Sequence, residues 1–105
     1  MVMGAVKDDR ERILAKLFGS GSRARIIDLL VSQVGRAFYQ CEIMYEAGLS
    51  LHPTQRELEN LLDLGIIKKR ETRDRVYYEV DAHSPFFKPL REICEAAYKK
   101  GEGSK

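Results

Sequence analysis

The stretch GLSLHPTQRELENLLDLGII, residues 48–67, reads as a bounded helix with two unlike faces. Ser50 stands where an N-cap belongs, Pro53 falls in the first turn where proline is tolerated, and Gly65 supplies the stop. Those boundaries predict a helix of about three to four turns. With Leu58 at the centre of the buried face, steps of about 100° per residue bring Leu51, Leu61 and Leu62 beside it and turn His52, Arg56, Asn60 and Asp63 outward. Gln55 lies on the flank and Thr54 at the margin. The outer face mixes Arg56 with Glu59 and Asp63, so this helix either reads a polyanion or only packs, and the segments around it must decide.

Upstream, DDRERILAKLF predicts a short amphipathic helix over 8–18, with Ile13, Leu14, Leu17 and Phe18 at helical spacing behind a charged start. After GSGS at 19–22, where Ser20 or Ser22 can cap, SRARIIDLLVSQ reads as a central core helix burying Ile26, Ile27, Leu29, Leu30 and Val34. AFY at 37–39 is a short extended piece. QCEIMYEAG then places Ile43, Met44 and Ala47 on the apolar side of a helix stopped by Gly48.

Downstream the period changes from helical to two-residue alternation. IIKKRE and RVYYEV, separated by TRD, read as a hairpin in which Val76, Tyr78 and Val80 share one face and Arg75, Tyr77 and Glu79 the other. Ser84 and Pro85 open a last helix over 84–100, with Phe86, Phe87, Leu90, Ile93, Cys94, Ala97 and Tyr98 along one side and Pro89 in or near its first turn. GEGSK at the end reads as a frayed terminus. The expected architecture is mainly α with a small β-hairpin wing: a winged helix-turn-helix with extra N- and C-terminal helices.

A chain of 105 residues forms one domain and buries roughly two thirds of its unfolded surface around a single core. A single winged-helix domain spanning 1–105 is expected, its core over about 17–82, with the terminal helices 8–18 and 84–100 serving dimerisation. The composition is 44% hydrophobic and 32% charged, which excludes disordered and fibrous classes. A formal net charge of +2 is too small for a surface that wraps a polyanion throughout, so any nucleic-acid site is local. No apolar run is long enough for a membrane span or signal peptide, and Cys41 and Cys94 lie far apart without a pairing motif. The expectation is a reduced, cytoplasmic protein without a membrane partner.

The blocks LFGSGSRARIIDLL, GLSLHPTQRELENLLDLGII, KRETRDRVYYEVD and SPFFKPLREI resemble, in order and spacing, successive parts of prokaryotic ArsR-like winged-helix transcription regulators. The resemblance runs from about Leu17 to Ile93. It implies that 40–48 corresponds to the first helix of the helix-turn-helix, 50–64 to the recognition helix, and 66–80 to the wing. It also implies binding as a homodimer, with the recognition helix entering the major groove through its amino-terminal half.

Under that reading the recognition helix offers Ser50, His52, Thr54, Gln55, Arg56 and Asn60 to DNA, groups able to bond base edges or phosphates. Between residues 50 and 65 one arginine meets Glu57, Glu59 and Asp63, a net charge of −2 that opposes tight groove binding. The wing argues the other way. In KKRETRDR, residues 68–75, the five cations Lys68, Lys69, Arg70, Arg73 and Arg75 meet two carboxylates, a net +3. Alternation separates Lys69 from Lys68 and Arg70, so three or four of the five can touch phosphate together. The blander readings are a solvated packing helix and a hairpin charged only to prevent edge-to-edge pairing.

Metal binding and catalysis find little support. Cys41 stands alone in the first helix of the helix-turn-helix, where some members of the family bind metal through several cysteines. Asp81, His83 and Cys94 echo a second family pattern only superficially, because the first two precede the last helix and Ala97 occupies a further ligand position. His52 and His83 have no nucleophile at a motif spacing, and GSGS lacks the Lys-Ser/Thr ending of a phosphate loop. No cofactor, metal or enzymatic activity is expected, and no effector is legible.

The first and last helices carry apolar stripes that so small a core does not hide, so Ile13, Leu17, Phe86, Leu90, Ile93 and Tyr98 are expected at a two-fold dimer interface. The sequence thus predicts a homodimeric, sequence-specific regulator of transcription on double-stranded DNA. The alternative is a winged helix used as a protein-interaction module without intrinsic DNA binding.

Overall fold

The computed structural model describes residues 2–103. Its elements follow in the order α1 (Val2–Phe18), α2 (Gly21–Ser32), α3 (Gln40–Ala47), α4 (Leu51–Asp63), β1 (Ile67–Glu71), β2 (Val76–Val80) and α5 (Phe87–Gly103). This is a mainly helical chain with one antiparallel hairpin, as expected. Among the described residues no helix is long and apolar enough to cross a membrane.

Local chemistry explains most boundaries. Ser20 caps α2, its Oγ accepting the Arg23 N–H at 3.1 Å, which satisfies one of the orphan donors of the first turn. The helix ends at Ser32, so Val34 lies beyond it and is 48% exposed rather than buried. Glu42 accepts the Tyr39 N–H at 2.8 Å at the start of α3. Gly48 ends α3 in the left-handed region, with φ +67°. A Cβ there would meet nothing closer than Arg25 Nη1 at 3.8 Å, so Gly48→Ala suffers only the backbone penalty. It is expected to lower stability by about 1 kcal/mol, read as a shift in urea midpoint at constant m.

The terminal helices depart from expectation at their beginnings. α1 starts at Val2 rather than residue 8, since Gly4 alone is a weak interruption, costing about 1 kcal/mol. α5 starts at Phe87, and Ser84 with Pro85 forms a preceding turn in which Ser84 Oγ accepts the Phe86 N–H at 3.2 Å. Pro89 gives the reason. It has no N–H to donate four residues back, so the helix begins where Pro89 falls in its first turn. The helix also continues through Gly103, past the expected fray, while residues 104 and 105 lie outside the described residues.

The hairpin pairs Ile67 with Val80, Lys69 with Tyr78 and Glu71 with Val76. The extended piece predicted at 37–39 joins it as a single bridge, Phe38 and Tyr78 exchanging two N–H···O bonds of 2.8 Å. Phe38 is fully buried. The rest of the core comes from every helix and the hairpin base, including Ile26, Leu30, Ile43, Leu58, Leu61 and Ile67. Leu14 of α1 and Phe87, Leu90, Cys94 and Ala97 of α5 belong to the same cluster. Both terminal helices thus pack into the hydrophobic core.

Candidate nucleic-acid interface

Helix α4 follows α3 after Gly48, Leu49 and Ser50, and its period sorts the candidate residues. Leu58 and Leu61 are buried, whereas His52, Gln55, Arg56, Asn60, Glu59 and Asp63 are exposed. Thr54 is not at the margin. It has no exposed surface, and its hydroxyl donates to the Ser50 carbonyl at 2.8 Å. One turn before Leu58 and two before Leu61, it sits on the packing stripe, which removes it from the candidate contacts. Ser50 occupies the N-cap position, but its side chain makes no capping bond and remains exposed. Pro53 lacks an N–H, so only Leu51 and His52 present first-turn donors outside the helical ladder.

The main correction concerns Glu57. The sequence counts it among the acidic charges that oppose groove binding, but it is 2% exposed, and Arg23 of α2 donates to it through Nε at 2.8 Å. Burial pushes its carboxyl up, but the Arg23 hydrogen bond and charge, helped by Asn60 and Arg56, outweigh that and hold it below its ordinary value. Arg56 Nε also lies 3.5 Å from this carboxylate, with the Arg56 side chain 62% exposed. The outer face therefore carries one arginine against two carboxylates, and both of these, Glu59 and Asp63, fall in the carboxy-terminal half. The amino-terminal turns carry no exposed carboxylate.

Arg25 fastens the α3–α4 turn to α2. Its Nη1 donates to the Gly48 carbonyl at 3.3 Å. Arg23 and Arg25, both in the first turns of α2, thus tie that helix to α4 and to the turn before it. Sequence periodicity carried no sign of this, because each arginine reaches a partner more than twenty residues away.

The hairpin divides its five cations. Register places Lys68 and Arg70 opposite Glu79 and Tyr77, on the face shared with Arg75, while Lys69 lies on the other face. Arg70 pairs with Glu79 at 3.1 Å and Lys69 with Glu71 at 3.4 Å. Among the described residues Lys68, Arg73 and Arg75 have no carboxylate within ion-pair distance, so the net charge of the hairpin is concentrated on them.

Two residues passed over in the sequence join this face. The Tyr39 and Tyr77 rings stack with centroids 4.8 Å apart, their hydroxyls are 3.1 Å apart, and Arg75 Nη1 donates to the Tyr39 hydroxyl. The Tyr77 hydrogen bond, followed by that of Arg75, holds the Tyr39 phenol below its ordinary range, and Tyr39 in turn pushes Tyr77 up. Alternation already aligned Tyr77 with Arg75. Only the Phe38 bridge brings Tyr39 to them.

The six expected interface residues separate. Leu17 is 63% exposed and, with half-buried Ile13 and Ile93, lines an apolar groove between α1 and α5. Leu90 is 9% exposed and packs internally, because 87, 90, 94 and 97 form the inward stripe of α5. Tyr98 lies on the other flank, beneath the Arg10 guanidinium at 5.4 Å, and exposed Phe86 precedes the helix.

Cys41 is exposed on α3, whereas Cys94 is buried and its thiol is pushed up to about 12 by burial and by the neighbouring Asp28 charge. His83 stands exposed beside Asp81, whose Oδ1 accepts the His83 N–H at 2.9 Å. Among the described residues no three His, Cys, Asp or Glu side chains gather as a metal site. No protein-family model, curated protein or solved structure matches this chain.

Proposed function

We propose that this chain is a homodimeric winged helix-turn-helix regulator of the ArsR-like kind, binding double-stranded DNA in the prokaryotic cytoplasm to control transcription. The observation that carries this reading is the sorting of charge on α4. Glu57 turns inward onto Arg23, leaving Ser50, His52, Gln55 and Arg56 exposed on turns without a surface carboxylate. In this reading α3 and α4 are the helix-turn-helix and the hairpin is the wing. Gln55 and Arg56 would read base edges, adenine and guanine being their natural bidentate partners, each contributing about 1–3 kcal/mol of discrimination. His52 and the Ser50 hydroxyl would bond edges or phosphates near the same end, where the helix dipole favours an anion. Asn60, beyond these turns and engaged with Glu57, would contribute less.

Attraction would come mostly from the wing, through Lys68, Arg73 and Arg75, with Lys69 and Arg70 partly offset by their ion pairs. Retrieval of bound genomic fragments at low and moderate salt tests the whole reading. Enrichment of a common two-fold site with half-sites about one helical turn apart is the expected result. No salt-sensitive retention of any DNA would refute it and favour a protein-interaction module, a reading supported by the exposed Glu59 and Asp63 and by the apolar α1–α5 groove.

Dimerisation is assigned to that groove, with Ile13, Leu17 and Ile93 meeting their copies across a two-fold axis. Leu17 contributes little to the protomer's own core, being 63% exposed. Leu17→Asp should therefore leave the thermal midpoint of the protomer nearly unchanged while raising the dimer dissociation constant at least about tenfold, the equivalent of one well-packed apolar side chain. Sedimentation of wild type as a monomer at micromolar concentration would reject this interface.

A further inference from the structure

The basic face of the hairpin continues onto a residue from outside it. Tyr39 stacks on Tyr77, the two hydroxyl oxygens are 3.1 Å apart, and the Arg75 guanidinium both donates to Tyr39 and lies 5.4 Å from its ring centroid. The hydrogen count in this cluster does not close internally. Arg75 supplies one N–H to the Tyr39 oxygen, and each tyrosine brings one O–H. Only one contact runs between the hydroxyls, so whichever of them donates across it, the other O–H has no acceptor among the described contacts.

That outward O–H belongs to a hydrogen-bond chain that includes a guanidinium, which polarises it into a stronger donor. Two carboxylates of this region are otherwise committed: Glu42 accepts the Tyr39 N–H at 2.8 Å and Glu79 pairs with Arg70 at 3.1 Å. Lys68 lies on the same strand face by register, and Arg75 keeps further guanidinium N–H groups in an exposed position. A directed hydroxyl donor, a guanidinium fork and an ammonium suit an oxyanion better than a base edge, which would present donors as well as acceptors.

We infer that Tyr39, Tyr77 and Arg75 form a clamp for one phosphodiester of the DNA backbone, with the N-cap residue of α3 and the wing holding the same phosphate. The clamp rests on the DNA-binding reading above. It makes one of the two tyrosine hydroxyls a direct contact, with the other relaying the Arg75 charge to it, and it ties the wing to the helix-turn-helix through the ligand as well as through the Phe38 bridge. Because the hydroxyls are neutral, they add affinity without adding to counterion release.

The test compares wild type with Tyr39→Phe/Tyr77→Phe and with Tyr77→Phe alone, by fluorescence anisotropy on a recovered fragment and on unrelated duplex DNA over a range of salt. Phenylalanine keeps the ring stack, and thermal melting checks the fold. The double variant should bind both duplexes at least about a hundredfold more weakly, one charge-assisted hydrogen bond in each of two subunits, with the slope of log K against log salt unchanged. Unchanged affinity would overturn the clamp. So would a loss accompanied by a shallower slope, which signals that the hydroxyls only orient the cations. Absence of salt-sensitive binding by wild type would instead overturn the DNA reading, and the clamp with it.

Discussion

Arg73→Ala/Arg75→Ala is expected to weaken binding to double-stranded DNA by about two to three orders of magnitude at low salt. The double variant removes two of the three hairpin cations that have no carboxylate partner among the described residues. In a dimer that is four phosphate contacts, so the slope of log K against log salt should become shallower by about 3.6. The loss should be nearly equal on specific and unrelated duplexes, because backbone contacts carry no sequence information directly. Arg56→Ala is the complementary variant, with a loss concentrated on the specific site. A double variant whose affinity and salt slope match wild type would remove the wing from the interface. Lys69→Ala or Arg70→Ala should each do less, since each of those cations already faces a carboxylate within 3.4 Å.

Arg23→Met should destabilise the fold by about 3 kcal/mol, because it leaves Glu57 buried with only the more distant Arg56 to balance it. Chemical denaturation at neutral pH measures this directly. The pH dependence gives an independent check. The folded-state pKa of Glu57 lies below its ordinary 4.5, so its stabilising contribution is present above that value and is lost as pH falls through the folded pKa. Wild type should therefore lose stability on acidification more steeply than Glu57→Gln, whose side chain does not titrate. Parallel curves for the two proteins, or a loss below about 1 kcal/mol in Arg23→Met, would show the pair to be an ordinary surface ion pair. A destabilised Arg23→Met should also bind DNA poorly, since Glu57 and Arg56 are adjacent on α4.

Much of this architecture was legible locally. Ser20, Gly48, Gly65 and Pro89 are punctuation whose meaning depends on backbone chemistry alone, and each stands at or within a turn of a helix end. The alternation of Val76, Tyr78 and Val80 against Arg75, Tyr77 and Glu79 foretold the hairpin faces in the same way. Less legible were positions where a residue near the edge of a stripe could fall either way. In the sequence Thr54 stands at the margin of the stripe, and Glu57 counts only as one of the acidic charges of the helix. The observed stripe of 54, 57, 58 and 61 buries them because the Thr54 hydroxyl donates to the Ser50 carbonyl and Glu57 accepts from the Arg23 guanidinium.

The amino-acid sequence by itself determined the order of the helices, the bounds of α3 and α4, the hairpin and its two faces, and the concentration of positive charge between residues 68 and 75. Each follows from interactions within a few residues of chain, where periodicity and capping act. Only the tertiary structure decided which charges remain at the surface. It withdrew Glu57 beneath α4 against an arginine 34 residues away, absorbed Leu90 into the core, and set Tyr39 against Tyr77 across 38 residues. The free energy of a buried ion or a paired hydroxyl depends on partners that chain topology alone brings together, and no local pattern encodes them.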